Sequence, residues 1–397
     1  TDDTQMTMFT ADGIIKALRK TFDKNKLPDL KTIFESYKLW FNTQTRTPRI
    51  QEGKGWIAEL KELYAMRAPG TTCMGSMRGN IPGTIQKPLN SSSGCGGVMR
   101  VAPAGLVYHE NPEMAFKVGA DCAALTHGNP RAYLSAGFLS SMIAHIINGK
   151  NISEAVDAAL PILQKYEGHQ PVTKLITRAK ELAKTNLEPL SAIEELGAGW
   201  VGDEAIAIST YCALKEPNNF EKAVKMAVNH SGDSDSTGAI LGNILGAHLG
   251  MDKIPEKWAN KIELSKELET LAKDLFVNIK DIENVVAFNR VPEENQEVLY
   301  EIKEMGHEIG LHFDCGKYLI RNDIGLERHV LRELNVLGSI LGAPVKSISW
   351  HIPSESSVNR RLDFLEDRWI NNAYDPKFFS KYKYLSDSNM RFIYELI

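Results

Sequence analysis

Cysteine is scarce in this chain of 397 residues, and long apolar runs and clusters of basic charge are missing. The five cysteines are scattered and form no C-x-x-C pair, which argues against a disulfide framework and a zinc knuckle. No apolar run reaches the length that a bilayer requires. With a formal net charge of -4, the chain also lacks the electrostatic signature of a nucleic-acid binder. We therefore expect a cytoplasmic protein that acts on neither membrane nor nucleic acid.

The length and a change in apolar pattern predict two domains. A single hydrophobic core rarely keeps growing in a chain of this size. Helical spacing dominates the first two-thirds and predicts an all-α domain over residues 1–278. Beyond it, short β-prone runs alternate with helical segments, which predicts a small, incomplete α/β domain over residues 285–397. The sequence begins at Thr1 and stops on the apolar Ile397, so we expect both termini to be breaks in a longer chain.

Local signals mark helix ends and one long connection. Asn151 followed by Glu154 is typical of a capping box at a helix start. Residues 67–103 are rich in Gly, Ser, Thr, Pro and Asn, and a connection of that length predicts a ligand loop. Glycines recur every fourth residue from Gly238 to Gly250, which predicts a buried helix that a neighbour approaches closely.

Two acidic clusters each precede a helical run, one at residues 1–3 and the other at residues 233–236. Taken singly, each cluster is explained by helix capping and the helix dipole. Capping needs only one oxygen acceptor, however, whereas each cluster offers two carboxylates and a hydroxyl, an oxygen set that suits Mg²⁺ or Mn²⁺. If the clusters meet, their four carboxylates repel one another unless cations lie between them. The pair therefore predicts a dinuclear metal site.

These segments resemble the motifs of the ADP-ribosylglycohydrolase family. Residues 1–6 (TDDTQM) and 232–238 (GDSDSTG) are similar to its two metal motifs, residues 67–70 and 94–103 to its ligand loop, and residues 126–130 (THGNP) to its histidine motif. The resemblance implies an all-α fold that binds two Mg²⁺ or Mn²⁺ ions. It also implies hydrolysis of the glycosidic bond between ADP-ribose and a protein side chain. The expected partner is an ADP-ribosylated protein or another ADP-ribose conjugate.

The resemblance also implies roles for individual residues. The expected catalytic residues are Asp2, Asp3, Asp233 and Asp235. The expected metal ligands are Thr1, Asp2, Asp3, Asp233, Asp235 and Ser236. The expected substrate-binding residues are Asn90, Gly94, Cys95, Gly96, Gly97 and His127. Two alternatives stay open, because a histidine such as His127 can be a core residue, and Trp200 can either stack on adenine or pack inside the protein.

The C-terminal segment resembles pieces of a polysaccharide-deacetylase-like domain, at residues 306–314 and 349–353. That resemblance implies a candidate second metal site formed by His312, Asp314 and His351. The family places an essential Asp on an earlier strand, which residues 276–306 do not supply, so a truncated or auxiliary domain is the preferred interpretation. Two alternative functions follow. One is a metal-dependent carbohydrate deacetylase. The other is an ADP-ribose-binding module with impaired catalysis, because the sequence begins at the Thr-Asp-Asp motif, whereas some family members carry a catalytic acid upstream of it.

Overall fold

The structure is a computed structural model that describes residues 1–21, 26–45, 48–51, 54–288, 311–313, 323–341, 345, 347–350 and 371–372. The chain divides into two compact units, Thr1–Ile282 and Glu283–Ile397. The domain limits at residues 278 and 285 stay predictions. Over the described ranges, no helix combines the length and the apolar character needed to cross a bilayer.

The first unit is helical, and the prediction of a mainly α fold is confirmed for it. Its helices are α1 Asp2–Thr21, α2 Leu30–Thr43, α3 Thr71–Ser76, α4 Ala102–Val107, α5 Pro112–Ala124, α6 Pro130–Ile147, α7 Ile152–Leu163, α8 Gln170–Ala183, α9 Pro189–Leu196, α10 Gly202–Lys215, α11 Phe220–Val228, α12 Ser234–Leu249 and α13 Glu256–Ala259. Short 3₁₀ turns complete it, among them Cys95–Gly97 in the predicted ligand loop. A further helix, α14 Ser265–Phe288, begins in this unit and continues past its last residue, Ile282.

Helix α6 is the centre of this unit and packs against α4, α5, α7, α10 and α12. Every residue from Ala132 to Ala144 is buried, so no face of the helix is left for polar side chains that need water. Glycine permits the close approach of α5, since a Cβ on Gly119 would lie 2.2 Å from Oγ of Ser140. The close contact between α5 and α6 therefore depends on a small residue of α5.

The glycines of α12 are only partly explained by close packing. A Cβ built on Gly238 would lie 2.7 Å from Cγ1 of Val228, as the spacing predicts. A Cβ on Gly242 or Gly246 would meet no described atom within 4 Å. The helix packs instead through buried aliphatic residues, Ile240, Leu241, Ile244 and Leu245. The prediction of close approach along the whole glycine row is therefore wrong at Gly242 and Gly246.

The capping box predicted at the start of α7 is present. Oδ1 of Asn151 accepts a hydrogen bond from the backbone N–H of Glu154 at 3.0 Å, and Oε2 of Glu154 accepts one from the N–H of Asn151 at 3.0 Å. We expect Asn151→Ala to lower the free energy of unfolding by about 1 kcal/mol, because a helical N–H loses its acceptor. Urea unfolding measures the change. The exposed neighbour Ser153 is the control, and an equal loss in Ser153→Ala would contradict the prediction.

The second unit contains three short parallel strands, β1 Leu311–Phe313, β2 Ser347–Trp350 and β3 Asn371–Asn372, in the order β1-β2-β3. Helix α15, Asp323–Leu341, joins β1 to β2 in sequence and packs on β1. These few elements do not by themselves show the predicted α/β domain. Of the candidate second metal site, His312 lies in β1 opposite Ser349, whereas Asp314 and His351 lie outside the described residues.

Candidate functional site

The first turns of α1 and α12 bring the two acidic clusters together. Carboxylate oxygens of Asp2, Asp3 and Asp235 lie within 4.8 Å of one another. Asp2 and Asp3 are buried, whereas Asp235 is exposed and opens the group to solvent. Residues some 230 positions apart in sequence thus form one acidic cluster, and Asp2, Asp3 and Asp235 carry that name below.

The carboxylate of Asp3 is the most buried member of the acidic cluster. Thr1 and Ser236 hydrogen-bond to this side chain, so both predicted hydroxyl ligands lie beside it. Its Oδ1 atom is buried and has no hydrogen-bond partner in the part of the chain that the structure describes. A buried charged oxygen without a donor is costly, and such an atom calls for a bound cation or another donor.

Asp233 is the N-cap residue of α12, but its side chain does not cap the helix. Its Oδ2 atom accepts instead from the thiol of Cys95 at 2.8 Å. Capping, the alternative explanation for this residue, is therefore not what the side chain does. Asp233 lies outside the acidic cluster as defined, although Asp235 and Asp3 both act on its charge. Its role as a metal ligand stays a prediction.

Crowding and burial change the titration of these carboxyls. Burial, and then the charge of Asp3, raise the pKa of Asp2 to about 6, although the N–H of Gly70 donates to its Oδ2 at 3.2 Å. Burial followed by the charge of Asp235 raises the pKa of Asp3. Burial is also the main cause that raises the pKa of Asp233. The carboxylates thus repel one another, the situation that a divalent cation relieves.

The predicted ligand loop lies against the acidic cluster and against His127. Asn90 holds the loop in place: its Nδ2 donates to the carbonyl of Thr126 at 2.8 Å, and its Oδ1 accepts from the N–H groups of Ser92 and Gly128. The polar atoms of Asn90 are therefore engaged within the protein. Its part in substrate binding stays a prediction.

Three glycines let the loop approach its neighbours. A Cβ on Gly97 would lie 2.9 Å from Cβ of Ala123 on α5. Cβ atoms built on Gly94 and Gly96 would lie 3.5 and 3.2 Å from Nε2 of His127. Between them, the Cys95 thiol reaches Asp233, and its N–H donates to the carbonyl of Trp200 at 3.2 Å. The loop thus contacts both Asp233 and His127.

His127 is buried, as the core interpretation predicts, yet its ring borders the loop, as the ligand interpretation predicts. Its Nδ1 lies 2.8 Å from Oγ1 of Thr126. Burial, and then the nearby charge of Arg100, lower the pKa of His127 to about 3, so the imidazole is neutral. His127 is therefore a buried core residue whose ring also borders the ligand loop.

Two further residues shape the site without any signal that predicts them. Glu204 accepts from the N–H groups of Ala198 and Gly199 at 3.0 and 3.2 Å and so holds the turn beside Asp233. Arg100 is buried behind His127 and donates to Thr126. The indole of Trp200 is 62% exposed, so the packing interpretation of that residue is wrong.

Comparison with known proteins identifies the class. The sequence model of the ADP-ribosylglycohydrolase family matches residues 1–284, and the chain belongs to that family. A protein of Archaeoglobus fulgidus that carries no functional name is 28% identical over 276 residues, which cover 70% of this chain and 79% of that protein. Human ADP-ribosylhydrolase ARH3 is 27% identical over 221 residues, 49% of this chain and 60% of ARH3.

A solved structure of an ADP-ribosylglycohydrolase-related protein complex has the same fold. It superposes with a TM-score of 0.50 and 21% sequence identity, covering 70% of this chain and 81% of that one. The predicted family fold is thus confirmed for the helical unit. The family match covers residues 1–284, and these comparisons give no support to the deacetylase resemblance of residues 285–397.

Proposed function

We propose that this chain hydrolyses the glycosidic bond between ADP-ribose and a modified protein side chain, or a related conjugate, with the help of bound divalent ions. The observation that carries the proposal is the meeting of Asp2, Asp3 and Asp235 within 4.8 Å, where Gly70 of the ligand loop donates its N–H to Asp2. Membership of the family supports the reaction class. The name of the human relative, an ADP-ribosylhydrolase, agrees with it.

The residues of the acidic cluster fit Mg²⁺ or Mn²⁺. Their donor atoms are all oxygen, and the buried Oδ1 of Asp3 lacks a hydrogen-bond donor among the described residues. We assign as ligands the residues that the sequence predicts: Thr1, Asp2, Asp3, Asp233, Asp235 and Ser236. Bound there, such ions supply Lewis-acid stabilisation and lower the pKa of water.

The chain's own groups then divide the remaining tasks. The raised pKa of Asp2, about 6, belongs to the metal-free protein, because the positive charge of a bound ion favours the ionised carboxylate. The general base is one of the four predicted catalytic residues, Asp2, Asp3, Asp233 and Asp235. The N–H groups at the start of the 3₁₀ turn Cys95–Gly97 are the candidates for binding the diphosphate, because the first turn of a helix leaves N–H groups without partners in the helix. An open cavity of about 550 Å³ borders the same loop at Ser76, Asn90 and Ser92, room enough for a nucleoside.

Hydrolysis of ADP-ribosylated peptides tests the proposal. Peptides modified on arginine and on serine are incubated with the protein, and free ADP-ribose is measured. We expect release that stops on adding a chelator and returns with Mg²⁺. Release of ADP-ribose that continues in the presence of the chelator would contradict the metal assignment. Calorimetric binding of ADP-ribose without any release would favour the alternative, a binding module that lacks turnover.

Metal binding should weaken at low pH. Folding raises the pKa of Asp2 from 3.8 to about 6, so the folded metal-free protein holds this proton more tightly than the unfolded chain. That stabilising contribution is full below about pH 4 and is lost as the pH rises through about 6. Because Mg²⁺ has to displace the proton, we expect Mg²⁺ to raise Tm more at about pH 7.5 than at about pH 5. Equal rises, measured by calorimetry at both pH values, would contradict the prediction.

A further inference from the structure

Arg100 is a fully buried cation, and its charged and polar partners among the described residues include no carboxylate. Nη1 lies 3.4 Å from the sulfur atoms of both Met6 and Cys73, and Nη2 donates to the carbonyl of Cys122 at 3.1 Å. Its Cζ lies 4.4 Å from the centroid of the Tyr37 ring. A buried charge that is compensated by neutral acceptors and no carboxylate is costly, so its retention calls for a reason beyond packing.

The strongest bond of Arg100 is to a hydroxyl. Nη2 lies 2.7 Å from Oγ1 of Thr126. A guanidinium has donors and no acceptor, so the threonine oxygen has to accept this bond and its own proton has to go elsewhere. Two acceptors are within reach: Nδ1 of His127 at 2.8 Å and the carbonyl of Ala123 at 3.4 Å. The shorter distance favours Nδ1, because 2.8 Å is an ordinary hydrogen-bond length and 3.4 Å exceeds the usual range for a hydroxyl donor.

We propose that Arg100 and Thr126 are positioning residues that fix His127 in the tautomer with its proton on Nε2. In a neutral imidazole one ring nitrogen accepts and the other donates, so a hydroxyl that donates to Nδ1 leaves the proton on Nε2. The relay runs from the guanidinium to the hydroxyl and from the hydroxyl to the ring. Arg100 thus acts on His127 through the hydroxyl of Thr126.

The Nε2–H group of His127 faces the part of the ligand loop that contains Gly94 and Gly96. Cβ atoms on Gly94 and Gly96 would lie 3.5 and 3.2 Å from Nε2, so these glycines leave the edge of the ring uncovered. Nothing that the structure describes hydrogen-bonds to Nε2. The relay therefore presents a donor to an acceptor oxygen of whatever the loop binds. That this ligand is ADP-ribose rests on the proposed function, whereas the tautomer itself does not.

Nitrogen NMR of protein labelled with ¹⁵N-histidine measures the tautomer directly. The signals of His127 are identified among the ten histidines by their loss in His127→Gln. In the ligand-free wild type we expect a pyrrole-type Nε2 and a pyridine-type Nδ1. Thr126→Val keeps the side-chain shape but removes the relay, and should populate both tautomers. Thr126→Ser keeps the hydroxyl and should restore the wild-type pattern, an outcome that a purely packing role of Thr126 does not predict.

Binding provides the second readout. Calorimetry with ADP-ribose should give a Kd that is about tenfold weaker for Thr126→Val and within about twofold of wild type for Thr126→Ser. A wild-type spectrum with the proton on Nδ1, or an unchanged spectrum in Thr126→Val, overturns the proposal. A wild-type protein that shows the expected tautomer but does not bind ADP-ribose refutes the proposed function. That result still supports the role of Arg100 and Thr126 in fixing the tautomer of His127.

Discussion

Asp235→Asn should reduce the rate of ADP-ribose release by about a thousandfold or more, because removing a charged ligand forfeits several kcal/mol of transition-state stabilisation. Asp235 is the exposed member of the acidic cluster, so the substitution leaves the buried packing of α1 and α12 intact. The loss should appear in kcat, and the rise in Tm on adding Mg²⁺ should disappear with it. Both are measured on the same preparation.

Asp3→Asn should separate metal binding from folding. Burial and the charge of Asp235 raise the pKa of Asp3, so ionisation of this carboxyl costs stability in the metal-free fold. Removing that charge is expected to raise the metal-free Tm while abolishing the additional rise on adding Mg²⁺. A substitution that merely damaged the fold would lower both values.

Asp252→Asn is the matched control for these two variants. Asp252 is also an exposed aspartate close to an end of α12, but it lies in the 3₁₀ turn that follows the helix, at the end opposite the acidic cluster. Its removal should leave both the rate and the Mg²⁺-induced rise in Tm unchanged. Full activity in Asp235→Asn, or an equal loss in the control, would show that the acidic cluster is not the metal site.

The sequence predicts those parts of this molecule that depend on neighbours along the chain. Helix starts, the capping box at Asn151 and the two acidic motifs are local patterns, and each lies where its pattern indicates. That Asp3 and Asp235 meet is a long-range fact, which spacing alone does not show. The family resemblance predicted it, because it links two motifs that share one site.

Long-range packing explains what the sequence did not predict. Cys95 reaches Asp233 only because the loop at residues 94–97 pairs with the turn before α10, where Gly94 bridges to Val201. The burial of Arg100 depends on helices α2, α5 and the loop closing around it, and its charge alone would predict an exposed side chain. Likewise, a glycine row such as that of α12 shows where a neighbour could approach, not whether one does.

Gly232→Ala is expected to have the largest effect on stability. A Cβ at this position would lie 1.8 Å from the carbonyl oxygen of Ala198 and 2.6 Å from its carbon, both backbone atoms that no rotamer change can move. The turn before α12 would have to separate from the segment at residues 197–199, breaking the 2.8 Å hydrogen bond from the N–H of Asp233 to Ala198. We expect a loss of about 3 kcal/mol or more in the free energy of unfolding, measured by urea titration.

Gly242→Ala, inside α12 about two turns after its first residue, is the matched control. No described atom lies within 4 Å of the Cβ it would introduce. Alanine is the better helix former, so this variant should gain about 0.5 to 1 kcal/mol. Because Asp233 and Asp235 follow Gly232 directly, Gly232→Ala should also lose the Mg²⁺-induced rise in Tm at temperatures where it remains folded, whereas Gly242→Ala should keep it. If both variants are equally stable, the contact between the turn and residues 197–199 does not set the position of the acidic residues of α12.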